Sequence, residues 1–348
     1  MKETEEKKKE KKKGKGKIIL RVFICLLFVI SATCGGVAGY VDAQMNKIKR
    51  SDIKLNTIPV DEDIDVVYQQ DVINILLLGV DERPNDSGRC DTVMIATIDK
   101  KNKRLKLTSL MRDMYIDIPG VGQRKFNASY ANGGVELVYQ TLLNTFGIQM
   151  DGYVKVNFEG FVEVIDQLGG VDISINDAEY NWIQRHCKRP VLLSIKKGPQ
   201  TLNGDQALLY SRLRKVGNSD YERTERQRRV LEQIYLKFKD KSVPELLNIG
   251  TGMLEHIETD LTDKQIKSLL ATVTTMGATT IDQYRIPVDG TFSGQRLSGA
   301  GDVLIVDFEK NKELLYDFIF NYNGVSVDTS SEASQSEESS ETTQEATN

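Results

Sequence analysis

Residues 18–41 form a run of about two dozen mostly apolar residues, and this run limits the architecture of the chain more than any other feature. A run of that length spans a bilayer even when tilted. Arg21, near its start, can snorkel to the interface. Residues 1–17 are rich in Lys and Glu without apolar periodicity and read as a disordered basic tail. The basic flank lies on the N-terminal side, so the expected topology is a cytoplasmic tail, one transmembrane helix at 18–41 and the rest outside the cell. A cleaved signal peptide and a lipoprotein signal ending at Cys34 are the competing readings. The residues before Cys34 lack the leucine and the small neighbour that a lipoprotein signal usually shows.

With 348 residues and 40% hydrophobic content, the chain can bury one large core or two modest ones. Residues 42–70 are polar and acidic and read as an extracytoplasmic stalk, 71–325 as the folded domain, and 326–348 as a disordered Ser/Glu/Thr-rich tail. The net charge of −4 is segregated, about +6 in residues 1–41 and about −6 in the C-terminal tail. The mildly acidic remainder argues against nucleic-acid binding. Cys90 and Cys187 lie outside the apolar run, where a disulfide is chemically permitted but not indicated by spacing. His186 and His256 have neither zinc spacing nor a serine or cysteine elbow beside them, and read as ordinary residues.

Along the domain, apolar runs of strand length alternate with helical periodicity. Residues 72–79, 92–98, 104–111, 152–157, 170–175 and 283–288 read as strands. Residues 135–146, 158–168, 262–276 and 311–320 read as helices, the first stopping at Gly147. Residues 196–204 form a turn cluster, and 290–301 read as a glycine-rich surface loop without the Gly-Lys-Ser/Thr ending of a P-loop. This alternation predicts an α/β fold, a three-layer α-β-α sandwich around a central mixed sheet, preceded by one transmembrane helix.

The second and third strands form a hairpin turning at Lys101-Asn102. Counting back along both from Lys100 opposite Lys103 places Asp91 across from Arg112. If residues 72–79 run antiparallel beside this hairpin, Asp81 leaves the sheet at the same end. Two carboxylates and an arginine then gather beyond the strand ends, either as a site or as a plain cross-strand ion pair.

Residues 205–230 hold Arg212, Arg214, Lys215, Arg223, Arg226, Arg228 and Arg229 around Asp220 and Glu222. Ser219 with Glu222 is a capping-box pair that starts a helix near Asp220. On that helix Arg223, Arg226 and Gln227, Val230 and Leu231, Ile234 and Phe238 share one face. A core-facing arginine needs a partner, and for Arg223 this is either Asp220 or a ligand anion at the helix N-terminus. Arg228 and Arg229 read as a solvated face.

The motifs NILLLGVDER with GRCDT, SLMRDMYIDIPGVGQRKFNASYANGG, GFVEVIDQLGGVDI, KGPQTLNGDQALLYSRLRK and DYERTERQRRV occur in this order. Together they resemble the LytR-CpsA-Psr family from about residue 72 into the 230s, and more weakly to about 323. The resemblance implies a membrane-anchored phosphotransferase of Gram-positive walls. Such an enzyme moves a glycopolymer, for example teichoic acid or capsule, from a polyprenyl pyrophosphate carrier to peptidoglycan through a phosphodiester. It implies magnesium at Asp81 and Asp91, and pyrophosphate held by Arg89, Arg112, Arg212, Arg214 and Arg223, with Gln227 and Asp220 in the same constellation. Cys90 stands where the family usually has Ser, and Met111 where it commonly has Pro. Arginine forks and a divalent cation suit phosphoryl transfer, which is mostly positioning and charge neutralisation. Asp220 is the expected base for the acceptor hydroxyl or, alternatively, only orients Arg223. The arginines around it are expected to keep it ionised and so weaken it as a base. The lipid needs an apolar groove, for which helices 135–146, 158–168 and 230–238 are candidates if they are not simply core. The rival functions are a non-catalytic tether of lipid-linked or wall polymer, and a polyprenyl-pyrophosphate hydrolase. A transcription regulator fails on topology.

Overall fold

The computed structural model describes residues 43, 45–60, 64–81, 89–214, 216, 220–239, 241 and 254–320. The expected transmembrane helix, both terminal tails, the loop 82–88, Lys215 and the Ser219 cap lie outside these residues. Among the described residues no helix is long and apolar enough to cross a membrane.

The strands are β1 (Lys49–Arg50), β2 (Val72–Asp81), β3 (Arg89–Asp99), β4 (Arg104–Leu110), β5 (Tyr115–Ile118), β6 (Gly122–Lys125), β7 (Gly152–Asn157), β8 (Val171–Ile175), β9 (Gly198–Leu202), β10 (Ile257–Thr259), β11 (Ile281–Ile286), β12 (Phe292–Leu297) and β13 (Gly301–Val306). The longer helices are α1 (Ala128–Phe146), α2 (Phe158–Gln167), α3 (Asp177–His186), α4 (Gly204–Arg212), α5 (Asp220–Lys239), α6 (Asp263–Met276) and α7 (Phe308–Phe320). Seven strands form one mixed sheet in the order β1-β10-β7-β2-β3-β4-β11. β3 runs antiparallel to both β2 and β4, while β7 and β11 join as parallel neighbours of β2 and β4.

Alternation along β2 and β3 divides the sheet between two layers. Leu76, Leu78, Val80, Val93 and Ile95 point into a core with Val135, Val138, Leu142 and Phe146 of α1 and Leu315 and Ile319 of α7. Leu77, Gly79, Thr92 and Met94 face the opposite side, beneath α2 and α5. A second core joins α2, α4 and α5 to the ribbon β8–β9. Gly204 lets α4 approach α2 closely, because a Cβ there would lie 2.3 Å from the Val162 carbonyl oxygen.

Several expectations need correction. β8 pairs with β9 outside the main sheet, so the segment read as a turn cluster is half of a ribbon. Residues 290–301, read as a loop, hold most of the hairpin β12–β13, with Phe292 opposite Val306. Only one side chain of β13, Val303, is buried, so the hairpin lacks the apolar alternation that reveals a strand. The stretch read as a stalk joins the domain from Met45 on, where Met45, Ile48 and Leu55 are buried and β1 extends the sheet. Cys90 and Cys187 are free.

Candidate active site

The hairpin register is the one counted from the sequence, with Val93 opposite Leu110 and Asp99 opposite Arg104. Beyond its last pair, Arg112 Nη1 donates to Asp91 Oδ1 at 2.9 Å. β2 and β3 run in register to Gly79 opposite Thr92, where a bulge leaves Asp91 unpaired and brings Asp81 opposite Arg89. Such a bulge re-aims side chains at a sheet end. The Arg89 side chain lies outside the described residues, so only its backbone can be placed.

Arg212 ends α4 and Arg214 follows two residues later, with buried Leu213 between them. Arg214 Nη2 lies 3.1 Å from Asp91 Oδ2, and Arg212 Nη2 lies 3.9 Å from Asp81 Oδ2. The Arg212 guanidinium stacks on the Phe158 ring at 4.4 Å. Arg226 fixes this segment from behind: its Nε donates to buried Glu179 at 2.7 Å and its Nη1 to the Leu213 carbonyl at 3.1 Å. The face read from α5 therefore divides. Arg223, Gln227 and Leu231 look toward the sheet, Arg226 and Val230 enter the second core, and Ile234 and Phe238 touch both the cavity and that core. Arg228, read as solvated, is instead buried against Ser109 at 3.0 Å and Gln283 at 3.2 Å. A helix lying across a sheet buries part of its third side, which helical periodicity alone does not show.

Arg223 is only 2% exposed. Its Nη2 donates to Asp220 Oδ2 at 2.8 Å, while its Nε and Nη1 are buried without a hydrogen-bond partner. Burial, aided by Arg112 and Arg214, lowers its pKa to about 10 against the pull of Asp220. Arg112 Nε is likewise buried and unbonded, with Asp113 and Asp220 carboxylates at 3.5 and 3.7 Å. Unmet donors of this kind are costly in the empty protein and are satisfied by an incoming anion.

Burial raises the Asp220 pKa, and Arg223 and Arg112 do not cancel the effect. The expectation that the arginines make Asp220 a weak base is therefore corrected: desolvation outweighs them. Asp113 adds to the rise and is itself held by Lys125 Nζ at 2.9 Å. At Asp91 burial also pushes upward, but Arg214 and Arg112 hold its carboxyl below the usual range. Burial raises the Cys90 thiol to about 12, and its Sγ donates to the Thr92 carbonyl at 3.2 Å, so it is a quiet core residue.

From this cluster an apolar cavity of about 300 Å³ extends between sheet and helices. Leu77, Met94, Val154 and Val156 form its floor, Phe161 and Leu208 one wall, and Leu231, Ile234 and Phe238 the other. Arg212, Arg214, Arg223, Gln227 and Asp91 stand at one end. Arg223 to Phe238 spans four helical turns, about 22 Å. Helices 158–168 and 230–238 thus line the groove, and 135–146 packs in the core on the other face of the sheet. The motif residues missed were Asp113 and Lys125. The Arg-Asp pair was visible, but nothing in the spacing shows that β5–β6 folds Lys125 back onto it.

Asp81 and Asp91 offer hard oxygen donors at one sheet end. Among the described residues no three His, Cys, Asp or Glu side chains gather closely enough to hold a metal alone. Magnesium commonly takes one or two carboxylates and fills its shell with water and phosphate oxygens, so this pair fits such an ion arriving with a phosphorylated ligand.

An α/β fold whose sheet carries an apolar cavity headed by arginines is thus in place. The chain matches the LytR_cpsA_psr family over residues 37–319 and belongs to that family. It is 30% identical over 248 residues to the regulatory protein MsrR of Staphylococcus aureus, covering 71% of this chain and 74% of the relative. It is 36% identical over 205 residues to the polyisoprenyl-teichoic acid–peptidoglycan teichoic acid transferase TagU of Bacillus anthracis, covering 58% and 64%. The structure of TagT bound to LIIa-WTA superposes with a TM-score of 0.63 at 27% identity, covering 77% of this chain and 99% of that one. TagT with bound octaprenyl pyrophosphate lipid gives 0.56 at 25% identity, covering 77% and 97%.

Proposed function

We propose that this chain is a membrane-anchored phosphotransferase that moves an anionic glycopolymer from a polyprenyl pyrophosphate carrier to peptidoglycan. The observation that carries the reading is Arg223, a buried guanidinium with two unbonded nitrogens at the head of an apolar cavity. An amphiphile with an anionic head and a hydrocarbon tail complements both features. The names of TagU and the lipid-bound TagT support the same donor class.

In this reading Arg112, Arg212, Arg214 and Arg223, with Gln227 and the motif residue Arg89, bind the pyrophosphate, and the cavity takes the tail. Asp220 accepts the proton of the acceptor hydroxyl. That oxygen bonds to the polymer-side phosphorus, the bond from this phosphorus to the bridging oxygen breaks, and polyprenyl phosphate leaves. The arginines take up the charge that develops, the largest effect such sites exert. Asp81 and Asp91 would hold a magnesium ion, which when bound supplies further charge neutralisation at the phosphates. The placement of the Asp220 carboxylate beside Arg112 and Arg223 at the cavity head supports transfer over tethering, because a tether needs no base. Residues 18–41 are the proposed anchor, with the N-terminus cytoplasmic and the domain extracellular.

The test incubates the protein with polyprenyl-pyrophosphate-linked polymer and peptidoglycan oligomer, and follows the products by mass spectrometry. A linked product carrying one phosphodiester is expected. Release of polymer phosphate without linkage would make the chain a hydrolase. Tight donor binding without any product would make it a tether.

A further inference from the structure

Arg223 and Arg226 stand three residues apart on α5, each only 2% exposed, and the fold treats them in opposite ways. Arg223 leaves two nitrogens unbonded, whereas each nitrogen of Arg226 has an oxygen partner. Arg226 Nε donates to Glu179 Oε1 at 2.7 Å, Nη1 to the Leu213 carbonyl at 3.1 Å and Nη2 to Glu222 Oε2 at 2.5 Å. Arg226 is thus engaged with the protein itself, and the backbone group it grips is Leu213.

Leu213 follows the last residue of α4 with φ −59° and ψ 122°, so the chain leaves the helix there. A carbonyl at such an exit has no partner within the helix and needs one from elsewhere. The Leu213 side chain is buried in the second core. Alternate side chains of an extended segment point to opposite sides, so Arg212 and Arg214 both turn away from that core, toward Asp81 and Asp91. Both are long, half-exposed side chains whose reach depends on where their backbone stands. The carbonyl held by Arg226 lies midway between them. Arg229 adds a second tie between α5 and the end of α4, with Nη1 at 3.4 Å from the Tyr210 hydroxyl.

Glu179 anchors Arg226 in turn. It is 1% exposed, and while Oε1 accepts from Arg226, Oε2 accepts from Asn176 N at 3.0 Å and closes the capping box of α3. Asn176 directly follows β8, so the carboxylate is placed by the ribbon β8–β9 and the start of α3. Glu179 lines no part of the cavity. An apolar pair of similar size would fill the same space, so a buried ion pair here calls for a reason beyond filling the core.

We propose that Glu179 is a positioning residue for the anionic head group: through Arg226 and the Leu213 carbonyl it sets where Arg212 and Arg214 stand. It touches no substrate itself. The inference rests on the reading that these two arginines bind the pyrophosphate of a lipid-linked donor. Without the carboxylate, Arg226 keeps only Glu222 as counter-charge, its grip on Leu213 slackens, and Arg212 and Arg214 lose their common alignment.

Glu179→Gln keeps the volume but has a single side-chain oxygen for two donors, Arg226 Nε and Asn176 N. Trp182, the one tryptophan of the chain, lies three residues on along α3 and packs against the second core, so its emission reports whether α3 stays docked. Donor affinity is read by calorimetry with polyprenyl pyrophosphate, and transfer by single turnover. With Trp182 emission unchanged, Glu179→Gln is expected to weaken donor binding roughly tenfold, a coupling usual within one network. Transfer should slow by on the order of a hundredfold, as a small misplacement of positioning groups does. In the Arg212→Ala/Arg214→Ala background the same substitution should change donor affinity by less than about twofold, because the groups it positions are gone. A merely structural role would cost the same in both backgrounds, and equal losses overturn the inference. Unchanged affinity and transfer in Glu179→Gln alone overturn it as well. If Glu179→Gln shifts the Trp182 emission, Arg226→Lys replaces it in the same cycle, keeping the charge beside Glu179 and giving up the fork that reaches Leu213. The same two outcomes then decide. Parent protein that binds donor and yields no linked product removes the transferase reading and leaves the binding cycle to stand or fall alone. Parent protein that binds no donor removes both.

Discussion

Arg223 and Asp220 meet at 2.8 Å on the first turn of α5, and this contact satisfies only one of the three guanidinium nitrogens. Asp220 is thereby held beside Arg112, while the two unbonded nitrogens of Arg223 remain buried at the cavity end. Arg223→Met is expected to cost little thermal stability, since two of the three guanidinium nitrogens it removes are buried without a partner and the Asp220 it leaves behind keeps Arg112 at 3.7 Å. Transfer should fall by about 2.7–4 kcal/mol in barrier, the usual loss for one preorganised donor. Exposed Arg185→Ala serves as the control, with no effect on either. Melting curves and single-turnover rates check both halves. A collapse of stability with Arg223→Met would assign the residue to the fold.

The two carboxylates of the site should titrate with opposite sign. Burial raises Asp220 in the folded state, so its stabilising contribution is present below the unfolded pKa and is lost as pH rises through the folded value. Burial also pushes Asp91 upward, but Arg214 and Arg112 prevail, so its contribution is present above the unfolded pKa and lost as pH falls through the folded one. At pH 7 Asp220→Asn should therefore raise Tm and Asp91→Asn lower it, both differences shrinking toward acid. Melts across the acid range check this, and a fall in Tm for both variants at pH 7 would contradict it.

Asp113 and Lys125 should tune the base without touching substrate. Asp113 raises Asp220 by like charge, and Lys125 offsets Asp113 from 2.9 Å. The acid limb of kcat/KM should move to lower pH in Asp113→Asn and to higher pH in Lys125→Met. Loss of structure would shift neither limb in opposite directions, so parallel profiles would remove both residues from the account.

The hairpin register, the Asp91–Arg112 contact and much of the cavity-facing side of α5 were legible because strand pairing and helix periodicity are local rules. What was not legible depends on desolvation or on distant packing. The sequence shows arginines around Asp220 but not how deeply it is buried, and burial decides its pKa. Arg228 gives the same lesson, since its partners Ser109 and Gln283 come from two different strands. Strand β9 and hairpin β12–β13 were missed because their glycines and polar residues look like loop, although β8 was read as a strand. Helix α3 went unread although Asn176 and Glu179 form a capping box, a signal present in the sequence.

Filling the cavity should separate the lipid tail from the head. Leu231→Trp places a larger side chain in the apolar space beside Ile234 and Phe238. Affinity for a long polyprenyl pyrophosphate should drop, whereas a pyrophosphate with a short chain should bind as before. Calorimetry with both ligands checks this. Equal loss for both would mean that the variant disturbs the arginines.

Magnesium dependence is expected if Asp81 and Asp91 hold the ion as proposed. Chelation should suppress transfer, added magnesium should restore it, and Asp81→Asn should need more of the ion for half-maximal rate. Full activity in excess chelator would leave the two aspartates as partners of Arg212, Arg112 and Arg214.

Asp220→Asn, assayed for donor affinity and single-turnover transfer on one preparation, tests the transferase account most directly. The substitution keeps the shape and removes one negative charge beside a bound pyrophosphate. Donor affinity should be unchanged or higher, while transfer falls by roughly 10²–10⁴, the range for a lost acid–base group. Weakened donor binding with an unchanged transfer rate would contradict the account and leave Asp220 as a support for Arg223.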